Sequence, residues 1–188
     1  EDTVAIAGSM SHQMPRYHGR NEPEFVPTLA AAREHFRAMA DLLAESGVDF
    51  LLMEMMSDPD YANLAIEAAR RTGLPVWVGF SVRPNDDGEL VANSRRDLPM
   101  EEMYREMDLD GVRVAGVMHS KSDHMGAAVD ALRRHWSGTL MVYPDSGYFQ
   151  RPNWQFVDII PEEEFVVRVN EWVGAGVQVV GGCCGLGL

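Results

Sequence analysis

Val179-Val180-Gly181-Gly182-Cys183-Cys184-Gly185 joins an apolar run of β type to the only two cysteines in the chain. The run from Val177 to Val180 favours extended backbone, and the glycines on both sides of the cysteines let the chain leave that geometry. Neighbouring side chains of a regular strand point to opposite faces. Two adjacent thiols therefore grip one ion only where a strand has just ended. Thiolates are soft ligands that favour Zn²⁺ among the common biological metals, and a catalytic zinc takes three protein ligands and one open position. Cys183 and Cys184 supply two of the three. Taken alone, the pair also reads as small buried apolar side chains, or as a vicinal disulfide or redox pair.

Outward from this segment, the chain alternates strand and helix signals. Val4 to Ala7 is a short apolar strand ending at Gly8-Ser9-Met10, followed by a long polar loop through His12, Arg16, Tyr17, His18 and Pro23, of the kind that is usually functional. Thr28 is suited to cap a helix over Leu29 to Ser46, with Ala32, Phe36, Met39, Leu42 and Leu43 at helical spacing and Gly47 closing it. Asp49 to Glu54 is a buried strand with a carboxylate at its end, and Asp58-Pro59 opens a helix that ends near Gly73. Pro75 to Val82 is a third strand, Pro84 to Gly88 a turn, and Met100 to Met107 a short helix. A fourth strand, Val112 to Val117, ends at Met118-His119-Ser120, and Asp123 caps a helix to about Trp136. Thr139 to Tyr143 is a fifth strand ending at Pro144-Asp145-Ser146-Gly147. A loop with Trp154 then leads to Pro161, a helix to about Val173, and the strand that carries the cysteines.

Six such alternations with continuously apolar strands imply an α/β fold, a parallel sheet covered by helices. Ser9, Glu54, Ser81, His119, Tyr143 and Cys183 all fall at C-terminal strand ends. An eight-fold barrel gathers every such end around one mouth, whereas a doubly wound sheet concentrates its site at one crevice, so the barrel is the expected architecture. A complete (β/α)8 TIM barrel needs about 250 residues. At 188 residues, starting at Glu1 almost on a strand and stopping four residues past Cys184, the chain reads as an incomplete barrel, units three to eight, in a single domain spanning 1–188. A net charge of −13 argues against nucleic-acid or anionic-membrane partners. No apolar run approaches the roughly 18 residues of a membrane span and no signal peptide is visible, so a reducing cytoplasm is the expected compartment.

The run Gly181-Gly182-Cys183-Cys184-Gly185 after a strand resembles the end of the homocysteine S-methyltransferase family of zinc-dependent barrels. Ala7-Gly8-Ser9 resembles that family's Gly-Ser strand end. Ala44-Glu45-Ser46-Gly47-Val48-Asp49 followed by Leu52-Met53-Glu54 is similar to its strand with a substrate-binding glutamate, and Pro75-Val76-Trp77-Val78 to its next strand. Val142-Tyr143-Pro144-Asp145-Ser146-Gly147 resembles its Tyr-Pro-Asn-Ser-Gly turn. The family's third zinc-binding cysteine lies in a Gly-Val-Asn-Cys segment; here Gly116-Val117-Met118-His119 occupies that place, with histidine where the cysteine should be. Cys₂His with an open position is a competent catalytic zinc set. The loop beginning at Met10 departs from the family's Gly-Pro-Tyr-Gly pattern.

The resemblance implies a Zn²⁺ cofactor on Cys183, Cys184 and His119, a small thiol amino acid as acceptor and an activated methyl donor. It implies transfer of the methyl group to homocysteine or a similar thiol, forming methionine. It assigns Glu54 to the acceptor's amino group, Ser9 and the amides around Gly8 and Ser9 to its carboxylate, and Tyr143 to the pocket wall. Two other readings stand beside it. One is a phosphate-binding (β/α)8 barrel using the glycine-rich end of the last strand. The other is a degenerate metal-binding paralogue without turnover.

Overall fold

The strands pair in the order in which the chain makes them. The computed structural model describes residues 4–12, 26–150, 153–157 and 159–186; the expected loop through Arg16, Tyr17, His18 and Pro23 lies outside the described residues. β1 (Ala7–Ser11) leads to α1 (Leu29–Glu45), β2 (Phe50–Met56), α2 (Pro59–Arg71) and β3 (Val76–Phe80). A small pair, β4 (Val82–Pro84) and β5 (Leu90–Ala92), precedes α3 (Met100–Glu106), β6 (Val114–Lys121), α4 (Ser122–Leu132) and β7 (Thr139–Asp145). A second small pair, β8 (Tyr148–Gln150) and β9 (Asn153–Gln155), then precedes α5 (Glu162–Gly174) and β10 (Val179–Val180). Two of the expected caps form, and the third does not: Asp123 lies inside the first turn of α4, whose N-cap is Lys121 without a side-chain bond. The Thr28 side chain accepts from the Ala31 amide at 3.2 Å, and Asp58 accepts from the Asp60 amide at 3.3 Å with Pro59 in the first helical position, satisfying amides that have no partner within the helix.

β1, β2, β3, β6, β7 and β10 form one parallel sheet in that order. A doubly wound sheet would reverse its strand order at a switch point; this order runs without reversal. The two faces of the sheet differ. One packs on the helices through a single large core in which Leu51, Met53, Val78, Val117 and Val142 meet Phe36, Ile66, Val129 and Leu132. On the other face Val114, Met118 and Met141 form a separate small cluster with Leu52, Trp77, Tyr143 and Val179. That second face carries no helix residue in its cluster. Among the described residues β1 and β10 are the two edges, and no helix is long and apolar enough to cross a membrane.

The structure corrects several boundaries. The first strand is Ala7–Ser11 rather than Val4–Ala7. The Ile6 amide donates to Asp49 Oδ2 at 2.7 Å, and the Asp49 amide to the Ile6 carbonyl at 2.9 Å. Those bonds leave Val4 and Ile6 exposed and start the ladder at Ala7 against Phe50. Ser9 therefore lies mid-strand. α4 ends at Leu132, not near Trp136, because Arg134 and His135 donate three residues back, to Ala131 and Leu132, and tighten the last turn. β6 runs beyond Val117 to Lys121 and so includes His119.

Candidate metal centre

The second interruption of the sheet ladder is what aims the imidazole. β6 and β7 are in register up to Met118 against Tyr143 and again from Lys121 against Asp145; between them the register shifts. His119, in that interval, has φ 45°, a left-handed conformation that a non-glycine residue seldom adopts. The Met118 carbonyl just before it accepts from both Ser81 Oγ and Ser120 Oγ at 2.9 Å, which pins the kink. β2 has a matching defect. Its register with β3 shifts between Met53 and Met56, Met55 has φ 58°, and Ser57 Oγ donates to the Met55 carbonyl at 3.2 Å. Glu54 lies in that interval. β3 stands between the two kinked strands; its Gly79 lies opposite the β2 break, just before Phe80, which pairs with both Met56 and Val117, and the Met118 side chain occupies the space over Gly79.

The result is a chain of contacts across four strand ends. His119 Nε2 lies 3.2 Å from Glu54 Oε2. His119 Nδ1 lies 3.0 Å from Cys183 Sγ. The two sulfurs are 3.6 Å apart, so the cysteines are free thiols and not a disulfide. The Tyr143 ring stands edge-on to the imidazole, centroids 6.0 Å apart at 70°. It reaches that position because Gly181 has no side chain: a Cβ there would overlap the ring.

Backbone bonds set the cysteines. The Gly181 amide donates to the Val142 carbonyl at 3.0 Å and the Cys183 amide to the Pro144 carbonyl at 2.8 Å. The Ser146 amide donates to the Cys184 carbonyl at 2.8 Å, and the Leu186 amide to the Cys183 carbonyl at 2.9 Å. The chain thus turns off β10 directly into the two thiols, as the glycine pattern predicts. The amides of Gly181, Cys183 and Leu186 are committed to carbonyls, which removes three donors that a phosphate cradle at this strand end would use.

Electrostatics follow from these contacts. The hydrogen bond from His119 holds the Glu54 carboxyl below the usual range, and the Ser9 hydroxyl adds to that against the opposing effect of burial. Burial is the main cause that pushes the Cys183 thiol up to about 12; the Cys184 amide, hydrogen-bonded to its sulfur, works the other way. Burial also raises Tyr143 and Asp145, the latter against the pull of His119 and Lys121.

Of the residues singled out in the sequence, Cys183, Cys184, His119, Glu54, Ser9 and Tyr143 share this rim. Gly8 does not. Its open side faces the helix layer, where a Cβ would meet Leu51 at 2.9 Å and Val48 at 3.0 Å. Asp145 is buried beside the site; its place inside the Tyr143-to-Gly147 turn is the signal in the sequence that points to it. His12 is also buried, and its Nε2 accepts from the amides of Ser57 at 2.7 Å and Asp58 at 3.1 Å, just beyond the kink of β2.

Among the described residues no group of three or more His, Cys, Asp or Glu side chains is already drawn around one point. The donors nonetheless suit zinc. With Zn–S bonds of about 2.3 Å at the tetrahedral angle, two sulfurs stand about 3.8 Å apart, close to the 3.6 Å found here. An imidazole nitrogen at about 2.0 Å from the same ion stands about 3.5 Å from each sulfur. At 3.0 Å, His119 and Cys183 form a hydrogen-bonded pair that a bound ion would spread by about half an ångström.

The chain matches, over residues 1–188, the family described as homocysteine S-methyltransferase. Homocysteine S-methyltransferase 2 of Arabidopsis thaliana is 27% identical over 164 residues, 84% of this chain and 47% of that protein. Selenocysteine Se-methyltransferase of Brassica oleracea var. italica is also 27% identical over 164 residues, covering 84% and 45%. Betaine–homocysteine S-methyltransferase 1 of Danio rerio is 23% identical over 203 residues, covering 98% and 47%. The metallated form of the homocysteine methyltransferase MmuM from Escherichia coli superposes with a TM-score of 0.64 at 19% identity, covering 90% of this chain and 50% of that one. Its oxidized form gives 0.65 at 21%, covering 97% and 57%. The chain spans about half the length of the curated relatives it matches.

Proposed function

Because the chain belongs to the homocysteine S-methyltransferase family, we propose that the protein moves a methyl group from an activated donor to the thiol of homocysteine or a similar thiol. In this reading Cys183, Cys184 and His119 hold a zinc ion. The observation that carries it is the convergence, from residues 64 and more apart in sequence, of the His119 imidazole on Cys183 Sγ at 3.0 Å, with the second sulfur 3.6 Å beyond. Zinc bound there supplies acidity, so that a coordinated thiol is presented as its thiolate at neutral pH.

The protein's own groups bind and orient. Glu54, kept ionised by its hydrogen bonds, offers a charge-assisted partner for the acceptor's ammonium. Ser9 shares its face of the sheet, since Ser9 pairs with Leu52 and Ser11 with Glu54, and its hydroxyl, bonded to Glu54 in the free site, has one proton and would turn from that carboxylate to the acceptor's when the acceptor binds. Gly8 contributes only backbone. Tyr143 walls the pocket and backs the imidazole. An acceptor presented as its thiolate would need no general base at the methyl group: the new S–C bond would form in line as the donor's bond to that carbon breaks, and the donor would leave with that electron pair as a neutral sulfide or amine.

We read the six strands as six of the eight units of a (β/α)8 barrel. The monotonic strand order, the two open edges and the coverage of about half of the relatives' length support this. The proposed activity is that of the closed barrel.

The test is metal content and methylation measured together on the full-length protein. The expected result is about one zinc per protein and conversion of homocysteine to methionine with a sulfonium or quaternary ammonium donor, lost on chelation and restored by zinc. Absence of bound zinc overturns the metal assignment. Activity confined to a His119→Cys variant overturns the claim of turnover in favour of a degenerate site.

A further inference from the structure

Resting on the zinc reading above, we propose that Glu54 is a positioning residue for the metal: it holds His119 by Nε2 so that Nδ1 faces the two sulfurs. A carboxylate is an acceptor only, so the nitrogen that faces it, 3.2 Å from Oε2, is the one that carries the proton. The other nitrogen is then left with its lone pair directed to Cys183 Sγ at 3.0 Å. One contact thus fixes both the tautomer and the direction of the donor.

The backbone makes this contact at a cost. Glu54 and His119 come from β2 and β6, which are not neighbours, since β3 runs between them. Both strands break register near their C-terminal ends, and each break contains a left-handed non-glycine residue, Met55 at 58° and His119 at 45°. Such residues are destabilising and persist where surrounding structure over-determines them. Here serine hydroxyls bonded to the Met55 and Met118 carbonyls do so. Two separate kinks that meet in one side-chain contact point to a role for that contact.

The chemistry gives the role. An imidazole in place of a thiolate leaves the ligand set with one negative charge fewer. A carboxylate on the far nitrogen makes the imidazole a more basic ligand and fixes its plane, and loss of such a partner typically weakens metal binding 10- to 100-fold. An ionised carboxylate has about four lone-pair sites, so the same Glu54 retains capacity for the acceptor's ammonium. Occupancy of the amine subsite and the strength of the metal centre are then linked through one side chain.

The experiment is zinc competition against a chromophoric chelator on the full-length protein, with Co²⁺ absorption as a second readout and no thiol or methyl donor present. Glu54→Ala is expected to weaken zinc about 10- to 100-fold and to shift the Co²⁺ bands. Glu54→Gln, which keeps an acceptor oxygen and the side-chain shape, is expected to fall between Ala and wild type. In a His119→Ala background, Glu54→Ala should add nothing. Wild-type zinc affinity with an unaltered Co²⁺ spectrum in both Glu54 variants overturns the proposal and leaves the zinc reading standing, as do additive losses in the His119→Ala background. A wild-type protein that binds no zinc overturns both.

Discussion

Acidification should unlatch the turn that follows Glu54, and His12 is the latch. Its imidazole is 3% exposed, and Nε2 accepts two backbone bonds, from Ser57 at 2.7 Å and Asp58 at 3.1 Å. Both amides precede α2 and follow the kink at Met55. Protonation of Nε2 would turn the acceptor into a donor facing two donors. Burial lowers the pKa of His12 from its ordinary 6.5, against the smaller raising effects of a backbone hydrogen bond and of Asp58. Between the lowered folded value and 6.5 the unfolded chain binds the extra proton. Stability from this group is therefore fully present above about pH 6.5 and is lost as the pH falls through the folded value, at up to about 1.4 kcal/mol per pH unit. His12→Gln places an amide oxygen where Nε2 stood and does not titrate, so it isolates the effect. His12→Ala leaves two buried amides unpaired, at about 1–3 kcal/mol each. Urea unfolding followed by circular dichroism from about pH 8 to about pH 5 should show a stability curve for His12→Gln that is flatter on the acid side than wild type by the slope above. It should also show His12→Ala destabilised by about 2–6 kcal/mol at the alkaline end. Parallel wild-type and His12→Gln curves would refute the reasoning.

Three further outcomes follow from the site. Gly181→Ala drives a Cβ into the Tyr143 ring that backs His119, and should cost about 1–3 kcal/mol of stability by overpacking; an unchanged urea midpoint would show that the ring has room to move. Cys183→Ser and Cys184→Ser should each weaken zinc by at least about 100-fold, read by chelator competition, whereas equal retention in either variant removes that sulfur from the ligand set. Since the Cys183 thiol is pushed up to about 12 and is protonated at neutral pH, zinc must displace its proton. Affinity should therefore rise with pH by about tenfold per unit for each proton released, measured by calorimetry in buffers of different ionisation enthalpy; pH-independent affinity would contradict this.

How much of this is legible in the chain can be judged residue by residue. The apolar runs of β2, β3, β6 and β7 read correctly because strands buried on both faces need no alternation, and length with flanking glycine and proline separates them from helices. β1 reads wrongly because its pattern is Ala-Gly-Ser-Met-Ser. Only Gly8 and Met10 face the helices, while Ser9 and Ser11 face the open side, so the more apolar Val4-to-Ile6 segment looks like the better strand. The hairpins β4–β5 and β8–β9 have three residues per strand, too few to establish a period. Helix ends held by side-chain caps, at Thr28 and Asp58, are legible; the end of α4, set by a change of hydrogen-bond spacing, is not.

The site divides along the same line. Cys183 and Cys184 announce themselves because two soft ligands next to a strand end and glycines form a local pattern. The partners of His119 are not local. They depend on β2 and β6 kinking near their C-terminal ends on either side of β3, at Met55 and His119. His12 is hidden for a similar reason: a histidine in a polar stretch reads as solvent-facing until the fold turns its Nε2 onto two amides 45 and 46 residues away. What a linear reading misses at this centre is therefore the second ring of support: the groups that orient the imidazole and hold the turn after Glu54. Those are contacts between strand ends, and they come into existence only when parallel strands of matched length bring those ends to one rim. A chain that kept Cys183, Cys184 and His119 but lost the register breaks of β2 and β6 would retain every motif and still fail to aim its imidazole.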